Sequence, residues 1–87
     1  MQPDPDVVAR RIDDKLVLVH LRTDCIYEMN ATAARVWELI GAGCDAGQIR
    51  TALLSEFDVP ASALEAQLKD VLASLEREGL VIPNGAR

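Results

Sequence analysis

Between Cys25 and Ile40 the sequence CIYEMNATAARVWELI changes its hydrophobic period with no spacer. Cys25 to Met29 alternate about Tyr27 and are β-prone, whereas Ala33, Val36, Trp37 and Ile40 recur at i, i+3, i+4 and i+7. Asn30 between them can cap a helix, because its side-chain oxygen accepts from an N–H of the first turn. A strand that runs directly into an amphipathic helix obliges that helix to fold back on the sheet. Trp37 is therefore expected in the core, and Tyr27 is expected either there or as the wall of a pocket beside it.

The flanking sequence supplies partners for both elements. Val7 to Ile12 and Leu16 to Leu21 are β-branched-rich runs separated by Asp13, Asp14 and Lys15, a hairpin signal, and Thr23 and Asp24 make a second turn. After Asn30 the first helix stops at Gly41 or Gly43. A second helix opens on Asp45 with Gln48 three residues on, a capping box, and shows Ile49, Ala52, Leu53 and Phe57 on one face. The third runs from about Ala61 to Glu78, with Ser62 and Glu65 spaced as a further box and Leu64, Leu68, Val71, Leu72 and Leu75 as its stripe. Gly79 provides a left-handed stop, after which Leu80, Val81 and Ile82 fold back. The expected fold is α+β and winged-helix-like, a three-stranded antiparallel sheet followed by three helices. It forms a single domain over residues 7–83, with loose tails at 1–6 and 84–87.

With 87 residues, 49% apolar but only 3% aromatic, the core must be built of aliphatic side chains. The net charge of −5, with basic residues scattered, argues against nucleic acid or an anionic membrane as partner. Cys25 and Cys44 lack the number and spacing of a zinc or redox site and read as free thiols. No long apolar run and no signal-peptide pattern is present, so the chain is expected in the cytoplasm. His20 has no Cys or Ser beside it in sequence to activate. The pairs Asp13 with Asp14 and Glu76 with Glu78 fall in a turn and on a solvated helix face. No phosphate loop, nucleotide fingerprint or metal cluster appears, so neither an enzyme nor a cofactor is expected.

Sequential strands tend to pair with their neighbours, which leaves Cys25–Met29 at a sheet edge with unpaired backbone groups. An edge strand beside a long helix forms a groove that receives an extended peptide as an added strand. On the third helix Gln67, Val71 and Ser74 form a stripe adjacent to the core stripe, smaller and more polar, as the wall of a groove would be.

At these residues the sequence resembles the PqqD-like family, the precursor-peptide recognition elements of pathways that modify ribosomally made peptides. The segments that carry the resemblance are YEMNATAARVWELI, FDVP and VLASLEREGL, within roughly residues 15 to 82. The resemblance implies that a leader segment binds as a strand against the third strand and the last helix. The positions implicated are Cys25, Ile26, Tyr27, Glu28 and Met29, with Gln67, Asp70, Val71 and Ser74 opposite. Gln67 stands where the family often has an acidic residue, and Val71 where an aromatic is common. The partners implied are the precursor peptide and a separate modifying enzyme. For a lasso-peptide pathway, which the short acidic composition favours, these are a leader protease and a cyclase. For a pyrroloquinoline quinone chaperone the enzyme is a radical SAM enzyme. Two readings of other classes compete. A winged-helix DNA-binding regulator would need a basic recognition helix, which DAGQIRTALLSEF is not. A purely dimerising domain would have its edge strand filled by a second copy.

Overall fold

The computed structural model describes residues 1–82. Its elements are β1 (Gln2–Pro3), β2 (Val7–Ile12), β3 (Lys15–His20), β4 (Cys25–Met29), α1 (Ala31–Gly41), α2 (Ala46–Glu56), α3 (Ala61–Arg77) and β5 (Val81–Ile82). The expected α+β, winged-helix-like order of a three-strand meander and three helices is what the chain forms. The sheet order is β2-β3-β4, all antiparallel. Ile12 pairs with Lys15 across a two-residue turn, in which Asp13 takes a left-handed φ of 55° that Asp tolerates better than most residues. The second of the three strands begins at Lys15 and ends at His20, one residue earlier at each end than its apolar run suggests. Leu21 belongs instead to the turn and is exposed.

The helix boundaries follow from their caps. Asn30 Oδ1 accepts from the Ala33 N–H at 2.8 Å, and Asp45 with Gln48 forms the reciprocal capping box. The box expected at Ser62 and Glu65 does not form. Pro60 occupies the N-cap of α3, and Glu65 pairs with Arg50 of α2 instead. At the far end of α3 the Gly79 N–H bonds to Glu76 O and the Leu80 N–H to Leu75 O, with Gly79 at a φ of 70°. This is a Schellman stop, and Leu75 and Leu80, both buried, supply its hydrophobic contact.

Helix α1 is the hub, since it touches β1, β3, β4, α2 and α3. Its expected face of Ala33, Val36, Trp37 and Ile40 is buried, and so are Ala34 and Leu39, because neighbours crowd it on more than one side. Leu16 and Leu18 of β3 meet Ile49, Leu53, Leu64, Leu68, Leu75 and Leu80 in a single aliphatic core that includes Trp37.

The leading segment departs from the loose tail expected of residues 1–6. Gln2 and Pro3 pair with Ile82 and Val81, the Asp4 N–H bonds to Leu80 O, and Asp4 is buried. Asp4 accepts from the Asp6 N–H and from Arg22, which also reaches Asp6. Prolines suppress helix here, but partners some 80 residues away in sequence turn the segment into a strap. Pro83 and the expected tail at 84–87 lie outside the described residues.

Candidate functional site

Strand β4 is an edge strand of the three-stranded sheet, hydrogen-bonded on one side by β3. Its two faces are assigned by register. Leu16, Leu18 and His20 of β3 are buried toward the helices, and their partners on β4 are Met29, Tyr27 and Cys25. Tyr27 and Met29 are half-buried against the core, whereas Cys25 at the strand's start is exposed. Ile26 and Glu28 occupy the opposite face, away from the helices, as the two-residue period of a strand requires. The nine positions named from sequence therefore do not form one surface. The strand presents its backbone at the edge and divides its side chains between two faces.

The last helix sorts its side chains in the same way. Leu64, Leu68 and Leu75 are buried, and the flanking Val71 and Leu72 are half-buried on either side of that stripe. Leu72 lies on the side of α2, where Leu68, Leu72 and Lys69 border a shallow recess with Ala46, Gly47 and Arg50. It is thus not the full core residue its spacing suggests. At the C-cap of α3 one exposed bond reaches β4: the Tyr27 hydroxyl donates to Glu78 Oε1 at 3.2 Å. At about 100° per residue, Gln67, Val71, Ser74 and Glu78 fall on one side of the core stripe. Val71 and Ser74 are half-buried and Gln67 is exposed, as a wall that rises from core to solvent would be. Asp70 is exposed and sits about 100° further round than Val71, so it is the least well directed of the four helix positions.

The electrostatics of the edge are mild. Cys25 beside it, partial burial and the Glu78 carboxylate together push the Tyr27 phenol up to about 12, so it stays a neutral donor in ordinary buffers. Glu28 on the outer face accepts from Lys15 at 2.8 Å, and that carboxylate raises the lysine. At the Met29 end of β4 an open cleft of about 740 Å³ continues the edge, lined by Met29, Asn30, Ala31, Phe57 and a cluster of ion pairs. There Arg35 meets Glu56 through two bonds of 2.7 and 2.9 Å, which raises the arginine and lowers the carboxylate.

Phe57, Arg35, Glu56 and Glu78 were not singled out as site residues by sequence. Arg35 and Glu56 are separated by a helix and a loop, and no local spacing announces their meeting. Glu78 reads as one more solvated carboxylate until the fold brings Tyr27 to it.

The fold brings Cys25, five residues away in sequence, directly across from His20 on the neighbouring strand, and its thiol is free. His20 is buried, with Nε2 3.1 Å from Gly79 O and 3.5 Å from Arg22 Nη2, while Nδ1 has no partner among the described residues. Its role is to tie β3 to the stop of α3. Among the described residues no group of three or more His, Cys, Asp or Glu is placed to hold a metal, and no helix is long and apolar enough to cross a membrane.

A winged-helix-like α+β domain of three helices and a three-stranded antiparallel sheet, whose last wing strand is an edge strand among the described residues, is the class of protein these observations define. The chain belongs to the PqqD family: the model described as coenzyme PQQ synthesis protein D matches residues 15–81. This bears out the resemblance read from the joint at Asn30. The structure of TbiB1 in complex with the TbiA(beta) leader peptide is 31% identical to this chain. It covers the whole of it and 99% of that chain, with a TM-score of 0.86. Lasso peptide synthetase B1 complexed with the leader peptide is 23% identical, over 94% of this chain and 96% of that one. Its TM-score of 0.83 speaks to the fold. No functionally curated protein matches the chain at a significant level.

Proposed function

We propose that this protein binds the leader segment of a ribosomally made precursor peptide as a strand added to β4. It then presents that peptide to separate modifying enzymes, performing no chemistry itself. The observation that carries the reading is the edge position of β4, bonded by β3 on one side, with Tyr27 and Met29 half-buried on its helix-facing side. It stands in a fold shared along its whole length with a protein solved in complex with a leader peptide. Main-chain hydrogen bonds along the edge give affinity without demanding a particular sequence, and side chains that enter the groove give selectivity. The contacting residues are Cys25, Ile26, Tyr27, Glu28 and Met29 on the strand and Gln67, Asp70, Val71 and Ser74 on the helix, with Asp70 the most peripheral.

Both structural neighbours contain leader peptides and one is a lasso peptide synthetase component, which favours a lasso-peptide pathway with a leader protease and a cyclase as downstream partners. The name of the matching family supports a second reading, a peptide chaperone for pyrroloquinoline quinone synthesis acting with a radical SAM enzyme. The test is isothermal titration of the chain with the leader of each short precursor encoded beside its gene. Binding at micromolar strength or tighter, about −8 kcal/mol or better, is the expected result. Flat titrations with all of them would refute the reading, and the precursor that binds identifies the pathway.

A further inference from the structure

An added strand places half of its side chains in the groove and half on the sheet face away from the helices, so an inference about that second face rests on the strand-addition reading. On the outer face Val8 pairs with Val19 and Val19 with Ile26, which makes one apolar row across all three strands. Val19, in the middle, is half-buried by its neighbours. The two ends are not equivalent: Val8 is 36% exposed and Ile26 is 70% exposed. The adjacent row, Arg10, Val17 and Glu28, ends in charges at both edges. Edge strands usually carry charge or proline where they meet solvent, and Glu28 fits that habit. Ile26 does not.

We propose that Ile26 is an outward subsite that selects an aliphatic, β-branched side chain on the bound peptide. The selected residue lies directly across from Ile26 and next in sequence to those that enter the groove. Side chains directly opposite on neighbouring antiparallel strands have Cβ atoms about 4.5–5.5 Å apart, and an apolar β-branched pair there is favoured over a polar one. The occupant is the peptide strand itself, because the row leads to the edge at which that strand would be added and its exposure is greatest there. The ligand class is thereby sharpened. It is an extended peptide with groove anchors on alternate residues and, between two of them, a Val, Ile or similar residue that never touches the helices.

The test uses a random dodecapeptide phage library panned against the full chain and against Ile26→Glu, with Ile12→Glu as control. Ile12 lies on the same face but on the far strand, and at 56% exposure it tolerates the same change. The parent should enrich peptides of alternating pattern with an aliphatic outward position. Ile26→Glu should shift that one position to Lys or Arg and keep the groove anchors, while Ile12→Glu should enrich the parent's set. In solution, Ile26→Ser should weaken a selected peptide up to about fivefold, and Ile26→Val should restore it. Selection of the same peptides by the parent and Ile26→Glu would overturn the outward subsite and leave strand addition standing. Enriched peptides without alternation, or no enrichment on the parent, would overturn both. A melting temperature that falls far more in Ile26→Glu than in Ile12→Glu, with the affinity of the folded protein for a selected peptide unchanged, would show that Ile26 serves the fold and refute the proposal directly.

Discussion

Val71 is the residue on which the proposed wall of the groove turns. It is the branched apolar member of the stripe Gln67, Val71 and Ser74, and it is half-buried against the core rather than within it. Val71→Asp is expected to cost about 2 kcal/mol or more of peptide binding, roughly thirtyfold in affinity, as truncated anchors in interfaces do. Calorimetric titration checks it, with the melting temperature measured alongside. A variant that melts like the parent and binds equally well would place the wall elsewhere. A second residue-scale prediction concerns Asp4. The Asp6 N–H and then the Arg22 guanidinium hold its carboxylate below the usual range against the opposing effect of burial. A folded pKa below the unfolded one means that the stabilisation is present above the unfolded value, about 3.9, and is lost as pH falls through the lower folded value. The parent should therefore lose melting temperature on acidification more steeply than Asp4→Asn, with the two converging in strong acid. Parallel acid profiles would contradict the role given to Asp4.

At the scale of elements, β4 was readable from sequence because alternation about Tyr27 and the cap at Asn30 are local signals. Its position at the edge was readable too, since a meander leaves its last strand outermost. β1 and β5 were not. Two-residue strands have no period, and Gln2–Pro3 becomes a strand only because the Schellman stop at Gly79 returns the chain alongside it. Removal of residues 1–5 is therefore expected to lower the melting temperature measurably. It strips the partner of Val81 and the Asp4 bond to Leu80 O; an unchanged melt would restore the view of a loose tail. The edge itself makes a prediction of parity. Backbone N–H groups alternate in direction along a strand, so Pro at Ile26 or Glu28 and Pro at Tyr27 or Met29 remove donors on opposite sides. One pair should fold and lose the peptide, and the other should lose the ladder to β3 and melt early. Equal behaviour of all four in melting and titration would argue against strand addition.

For the whole molecule, the aliphatic core and the layer arrangement followed from composition and from the three amphipathic stripes. Leu72 shows the limit of that logic: its spacing is that of a core residue, yet α2 covers it only in part. The proposed site was half legible. The strand and the helix stripe could be named, whereas Tyr27 with Glu78, and Arg35 with Glu56, meet only in three dimensions. The net charge of −5 and the pairing of Arg50 with Glu65 leave α2 without a basic face for a DNA groove, so no nanomolar shift of random duplex is expected at physiological salt. A nanomolar shift would overturn the class. The central claim, that a leader peptide becomes the fourth strand of the sheet, is tested most directly by amide hydrogen exchange of the chain with and without its bound leader. Alternate amides of β4, those directed away from β3, are expected to gain protection on binding while the β2 edge stays unchanged. Binding without new protection on β4, or protection confined to α2, would contradict it.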